Sequence, residues 1–412
     1  MTSTSPTSLP APSPRLDALP TYVFAWLDEL KERARARGAR LIDLGIGNPD
    51  KPTPAPIIAR IAEAYQDPAT HGYPPFRGTD RFREAVSRFM RARFGVEMDP
   101  AREVLATSGA KEAIAHFTMA YADETSISLV PDIYYPVHGR MSPLVGSRVH
   151  HLPLRAERGF LPDLSAVPAE VLREARVLFL NYPHNPTGAV ATLAFYEEAV
   201  AFCQRHHLVL LSDLAYSELT YDGFVAPSVF QVPGAKEVAI ETHSFSKSFN
   251  MAGSRLGWAC GNPELIDSLY AVRTNLGYGT PAAIQEGGIH ALEHAREFVP
   301  EIRARYQARR DAVVSGFRRL GWPIEQPPRA TMFVWLPVPQ GFTSPRWAEH
   351  LIETADVVVT PGHAFGPGGE GWFRTGLVAD VEVFEEVFAR MERAGIRYGA
   401  GVGSEWGQSR GS

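Results

Sequence analysis

Short apolar runs recur through the middle of the chain, at 103–107 (EVLAT), 126–130 (SISLV), 148–154 (RVHHLPL), 177–181 (VLFLN), 208–212 (LVLLS), 238–243 (VAIETH) and 255–260 (RLGWAC). Their length and composition predict β-strands. Between them, 110–123, 191–206 and 263–275 carry apolar side chains at the spacing of amphipathic helices. Apolar strands alternating with such helices predict an α/β fold, a three-layer sandwich whose central sheet is mostly parallel and covered on both faces. The two ends read differently. Helices are predicted over 21–38, 55–66 and 79–94, and a helical stretch over 280–320. Strands at 331–338, 356–360 and 372–378 and a helix at 381–394 follow. This second mix predicts a smaller α/β unit completed by the N-terminal segment. The expected division is a disordered tail over 1–14, an arm over 15–50 that joins the small unit, a large unit over 51–290, the small unit over 291–398, and a flexible tail over 399–412. No fixed-period repeat is present.

Composition narrows the function without naming it. The chain has 412 residues, 45% apolar and 21% charged, ordinary usage for a globular protein with a large core. Its 41 Lys+Arg stand against 46 Asp+Glu, so the net charge of −5 gives no footprint for nucleic acid or for an anionic membrane. The two cysteines, Cys203 and Cys260, sit in apolar settings, which points to a reducing, cytoplasmic compartment without disulfides or zinc clusters. Residues 1–14 lack the apolar core of a signal peptide, and no apolar run reaches the ~18 residues of a membrane span.

Four segments carry candidate chemistry. Ser108-Gly109-Ala110-Lys111-Glu112 follows a strand and opens a helix, where free backbone N–H groups and the helix dipole favour an anion; an ordinary N-cap is the bland alternative. Asn181-Tyr-Pro-His-Asn185-Pro-Thr-Gly188 is a turn stiffened by two prolines that presents Asn185 at a strand end. Asp213 and Tyr216, in Ser212-Asp-Leu-Ala-Tyr216, fall in the usual ligand crevice of an open α/β sheet, although an Asp there also caps helices. Ser244-Phe-Ser246-Lys247, with Arg255 eight residues beyond the lysine, sets a lysine among hydroxyls and aromatics, an unusual place without a covalent or paired role.

In this order, together with Arg374, these segments resemble the fold type I pyridoxal-phosphate aminotransferases of class I/II, from about Leu41 to Arg397. The resemblance implies pyridoxal 5′-phosphate as cofactor and an amino acid and a 2-oxo acid as substrates, 2-oxoglutarate and glutamate forming one pair. Lys247 would form the Schiff base and carry the proton between Cα and C4′. Asp213 would keep the ring nitrogen protonated, while Tyr216 and Asn185 would bond the ring's 3-oxygen. Tyr135 matches the aromatic stacked on the ring, with Tyr134 as the alternative because Ile133-Tyr134 stands where the family carries Pro-Gly. Matching phosphate ligands are Ser108, Gly109, the backbone of Ala110 and Lys111, Ser244, Ser246 and Arg255. Tyr73 matches a tyrosine that reaches the neighbouring subunit's phosphate, implying a homodimer. Arg374 matches the clamp on the substrate α-carboxylate, with the backbone of Ile46 and Gly47 beside it, and Asn185 also touching substrate. Leu44-Gly-Ile-Gly-Asn-Pro-Asp50 and Gly362-His-Ala-Phe-Gly366 resemble the subgroup of LL-diaminopimelate, N-succinyl-diaminopimelate and alanine aminotransferases, from which Ser254 departs where that subgroup has Trp. The expected donor is therefore of the diaminopimelate type used in lysine biosynthesis, or alanine or aspartate.

Other readings compete. A β-elimination lyase would use the same cofactor ligands, and a non-catalytic cofactor-binding regulator would need no turnover. His290-Ala-Leu-Glu-His294 fits a zinc-hydrolase pentad on a helix, but lacks a further ligand at helical spacing, so no metal is expected.

Overall fold

A computed structural model describes residues 13–17, 19 and 23–399. Residues 1–12 and 400–412, the bulk of the two expected tails, lie outside the described residues. Twelve strands are described: β1 (Ile42–Asp43), β2 (Val104–Thr107), β3 (Ile127–Pro131), β4 (Arg148–Leu152), β5 (Ala175–Asn181), β6 (Val209–Asp213), β7 (Ala239–Ser244), β8 (Gly257–Gly261), β9 (Phe333–Pro337), β10 (Val357–Val358), β11 (Thr360–Pro361) and β12 (Trp372–Gly376). Seven of them form the main sheet in the order β2-β8-β7-β6-β5-β3-β4. β8 alone in that sheet runs against its neighbours β7 and β2, so the sheet is mostly parallel, as the alternation of strands and helices requires.

Strand apolarity on both faces is what pins this sheet between two helical layers. In β5, Leu178 and Leu180 point to one side and join Met90, Phe195, Cys203 and Ile289 from the helices Asp80–Phe94, Leu193–His206 and Ala282–Glu293. Val177 and Phe179 point to the other side and meet Ile114, Phe117, Ile266 and Leu269 from Ala110–Tyr121 and Pro263–Leu276. A one-residue slip of register would exchange these two sets of partners. Helix ends follow side-chain chemistry. The Thr79 and Thr192 hydroxyls accept from Phe82 and Phe195 N–H, and Gly95 closes the first of these helices at φ +69°. His207 closes the second in the left-handed conformation, its N–H bonded to Cys203 O, as a helix C-terminal residue.

A second apolar core lies around the antiparallel sheet β11-β12-β9. It joins Phe317 from the 25-residue helix Ala295–Arg319, Trp347 and Leu351 from Ser344–Ala355, and Phe384 and Phe388 from Val381–Arg393. Leu44 from the N-terminal segment belongs to the same cluster, and β1 pairs with β10 in parallel. Two longer helices, Pro136–Leu144 and Ser344–Ala355, and three four-residue ones, Ala169–Leu172, Ala235–Val238 and Phe245–Ser248, were not anticipated from the sequence. No described helix is long and apolar enough to cross a membrane.

Candidate active site

The candidate residues meet at the carboxyl edge of the parallel strands. β5 ends on Asn181, β6 on Asp213 and β7 on Ser244, and Ser108 follows β2. β2, β5 and β6 turn there into crossovers and β7 into the loop that leads to its antiparallel neighbour β8, which leaves a crevice between the loops. The crevice is a cavity of about 410 Å³, lined by Lys247, Asp213, Tyr216, Asn185, Tyr135 and Arg374, by Ala110, Lys111, Ser244, Ser246 and Arg255, and by Ile46 and Gly47. That volume is in the range of small-molecule sites.

Lys247 sits in the single turn Phe245–Ser248 directly after β7, and its Nζ donates to Gly47 O. Burial, reinforced by the charges of Arg374 and Arg255, pushes its ammonium down to about 7. Arg374, on β12, is 4% exposed. Its Nη1 donates to Asn185 Oδ1 at 3.0 Å and its Nη2 to Gly45 O at 2.9 Å, while the guanidinium lies 3.9 Å from the Phe333 ring centre and 4.7 Å from that of Phe365. Its Nε has no hydrogen-bond partner among the described residues. Burial lowers its pKa to about 10. A guanidinium held by neutral carbonyls and ring faces keeps its charge available to an incoming anion.

Asp213 is oriented on several sides. Its Oδ2 lies 3.2 Å from Nε2 of the buried His138, and its Oδ1 accepts from Ala215 N–H at 3.3 Å and the Thr242 hydroxyl at 3.4 Å. Asn181 and Asp213 are register partners across β5 and β6. The Asn181 amide donates to Asp213 O at 2.8 Å and its carbonyl accepts from Asn185 N–H at 3.0 Å, so one side chain fixes two site residues. Sequence reasoning missed His138 and gave Asn181 no role of its own. The signal for His138 was its spacing, one helical turn after Tyr135. Tyr216 is buried, which pushes its phenol up and keeps it protonated as a donor.

The opposite chemistry, an anion cradle, forms where β2 meets its helix. Gly109 caps Ala110–Tyr121 at φ +91°. Arg255, at φ +50°, donates from Nη2 to Ser108 O at 2.8 Å and from Nη1 to Ala252 O at 3.1 Å. A Cβ on Gly109 would lie 2.7 Å from Arg255 Nη2, and one on Gly257 would lie 2.9 Å from Gly109 Cα. Glycine at both positions is what lets the arginine close on the helix N-terminus. With the hydroxyls of Ser244 and Ser246 beside them, these groups suit a phosphate dianion. Ser108 and Gly109 back the cavity through Arg255 rather than line it.

Tyr135 lines the cavity, whereas Tyr134 packs against Gly139 and Gly366 and stacks on His151 at 5.8 Å. Of the two tyrosines, only Tyr135 lines this cavity. Tyr73 lies outside the cavity, 78% exposed, with its ring stacked 3.9 Å from that of Tyr278. Of the histidines, His184 is buried and held down to about 3 by burial, bonded to Thr187 Oγ1 at 2.8 Å, so it stays neutral. His290 and His294 lie with ring centres 4.3 Å apart, but among the described residues they belong to no three-ligand group.

The chain matches the family model "Aminotransferase class I and II" over residues 39–390. It is 46% identical over 379 residues to the LL-diaminopimelate aminotransferase of Moorella thermoacetica, covering 92% of this chain and 97% of that protein. It is 46% identical over 385 residues to LL-diaminopimelate aminotransferase 2 of Trichormus variabilis, covering 93% and 98%. Among solved structures, it is similar to a probable N-succinyldiaminopimelate aminotransferase from Thermus thermophilus, with TM-score 0.85 and 39% identity over 90% of this chain and 100% of that one. A match running through both sheets and the whole cavity edge leaves one assignment: the chain belongs to the class I and II aminotransferases and is a pyridoxal-phosphate-dependent enzyme.

Proposed function

We propose that this enzyme takes a diaminopimelate-type amino donor, with 2-oxoglutarate and glutamate as the second pair, in a ping-pong cycle that runs through Lys247. One observation carries the reaction: a half-buried amine, Lys247, and a buried guanidinium, Arg374, line a single cavity and are held by backbone carbonyls and an amide oxygen. The donor assignment is supported by relatives named LL-diaminopimelate aminotransferases along nearly the full chain.

Pyridoxal phosphate, when bound, supplies the electron sink that makes a proton on Cα removable. The protein supplies the rest. Arg374 holds the α-carboxylate of the amino acid and then of the 2-oxo acid, so one clamp serves both half-reactions. Lys247, whose ammonium is pushed down to about 7 by burial and by the charges of Arg374 and Arg255, takes the Cα proton and returns it. Asp213, steadied by His138 and Thr242, would hold the ring nitrogen protonated, Tyr216 and Asn185 would donate to the 3-oxygen, and Tyr135 would lie against the ring. Ser108, Ala110, Lys111, Ser244, Ser246 and Arg255 hold the phosphate, with Gly109 allowing their approach.

The same reading makes the enzyme a cytoplasmic homodimer in which Tyr73, exposed beside Tyr278, reaches a second copy's phosphate. It also takes 51–290 as the cofactor-binding unit and 15–50 with 291–398 as the smaller one, which the separate apolar cores support. Two measurements test the proposal. Borohydride should bleach the yellow holoenzyme and leave the cofactor attached at Lys247 by peptide mapping; attachment elsewhere overturns the assignment. Glutamate release from 2-oxoglutarate should be fastest with LL-diaminopimelate in a panel with alanine and aspartate. A faster rate with either of the latter overturns the donor.

A further inference from the structure

A second cavity, of about 710 Å³, shares no lining residue with the first. It opens between the helix Asp80–Phe94, the start of Ala295–Arg319 and the loop 218–225. Its walls are apolar, with Phe89 and Leu292 from the large-sheet side, Val299 from the long helix, and Phe224 and the 63% exposed Val225 from the loop. Four arginines line it against two glutamates.

The pairing of those charges is uneven. Arg88 meets Glu293 at 2.9 Å. Glu218, whose side chain is 7% exposed, serves two guanidiniums at once, Arg93 at 2.9 Å and Arg303 at 3.6 Å. Arg296 is exposed at the same cavity and makes no ion pair or hydrogen bond among the described residues. One buried carboxylate shared by two arginines, and a third arginine without a counter-ion, leave the cavity electropositive over an apolar wall. That combination favours a molecule with an anionic head and an apolar body, because burying the body gains roughly 25 cal/mol per Å² while the head is met by guanidinium donors.

We propose that this cavity binds a small carboxylate with an apolar chain or ring, its head on Arg296 and the Arg93–Arg303 pair and its body against Phe89, Leu292 and Val299. The size is that of a small-molecule site.

Octanoate is a suitable probe, with octanol as the neutral molecule of equal chain length, each titrated into the holoenzyme by calorimetry. One saturable octanoate site per chain is expected, with octanol at least about tenfold weaker. Two exposed positions test the location without touching the aminotransferase site. Arg296→Glu should weaken octanoate at least about tenfold, and Ala92→Trp, which fills the cavity from the exposed face of its helix, should abolish binding. Cofactor absorbance and turnover should stay at wild-type values in both, and Arg374→Lys should still bind octanoate. No saturable binding up to about 10 mM, equal binding of octanol, or wild-type affinity in either variant overturns the proposal.

Discussion

Arg374 and Arg309 are both nearly inaccessible, at 4% and 1% exposure, yet the protein treats them in opposite ways. Arg309 is saturated with acid: both Asp50 oxygens at 2.7 and 2.8 Å, Asp380 at 2.8 Å, and the Leu377 carbonyl at 3.1 Å. Burial pulls its pKa down, but the hydrogen bonds and charges of Asp50 and Asp380 outweigh this and hold it above its ordinary value. Arg374 has only neutral acceptors and ring faces, and burial prevails. A compensated buried charge ties segments together; an uncompensated one is an open valence for a ligand. Lys247 belongs with Arg374 in this respect, and its neighbours depress it further.

Four measurements bear on that contrast, in decreasing order of expected effect. Lys247→Ala should abolish transamination in a coupled glutamate assay while cofactor still binds weakly; full turnover would remove Lys247 from the chemistry. Arg309→Met should cost stability rather than catalysis, since it removes the bidentate partner of Asp50 and leaves Asp50 and Asp380, among the described residues, with Lys51 alone as a cation, at 3.8 and 2.7 Å. We expect about 2–3 kcal/mol in denaturant unfolding, less than the ~3–5 kcal/mol of a fully buried pair because Asp380 is half exposed. A fall in kcat/KM without a fall in stability would erase the distinction between the two arginines. Arg374→Lys should do the reverse, losing one charge-assisted hydrogen bond of about 1.5–3 kcal/mol, or roughly ten- to over a hundredfold in kcat/KM, with the unfolding midpoint little changed. An unchanged kcat/KM for amino acids would refute the clamp.

The smallest effect concerns pH. Only the unprotonated amine attacks a carbonyl, so the rate at which apoenzyme captures cofactor should rise with pH to about 7 and then flatten, instead of climbing toward the ordinary lysine value of 10.5. Arg374→Met removes one cause of the depression and should move the midpoint upward, by less than about one unit. An unmoved midpoint would mean that the Arg374 charge does not reach Lys247. The sign carries over to stability. The unfolded chain holds this proton more tightly, so between about 7 and 10.5 Lys247 makes the folded apoenzyme more stable as pH rises.

Much of this was legible before any coordinates. Apolar runs such as VLFLN and LVLLS carry strands because few residue types satisfy burial on both faces of a sheet, and the Asp213 and Ser244 strand-end positions follow from them. The order of the strands was not legible, since nothing local in 255–260 announces that β8 runs antiparallel. The helix Pro136–Leu144 escaped because Pro143 and Gly139 dilute its pattern. The helix Ser344–Ala355 had a readable stripe, Trp347, Ala348, Leu351, Ile352 and Ala355, and was passed over. Lys247 stood out because a lysine is unusual among hydroxyls and aromatics at a strand end, whereas Asp213, Asn185 and Arg374 gained meaning only from the order in which their motifs follow one another. His138 and the bridging of Asn181 did not, because their meaning lies in a contact across the fold that no linear spacing encodes.

The carbonyls of Gly45 and Gly47 occupy Arg374 and Lys247 in this structure. Two neighbouring peptide groups of one short strap thus serve as internal competitors for the site's cations. Under the proposed clamp role, a carboxylate arriving at Arg374 would meet an Nε unpartnered among the described residues beside an Nη2 already bonded to the Gly45 carbonyl, so part of its affinity would be an exchange of one bond for another. Such an exchange caps how tightly either substrate or product can be held. If Arg374 is the clamp that admits one acid after another, the Gly45 carbonyl is a ready resident for Nη2 each time an acid leaves, and release becomes a replacement.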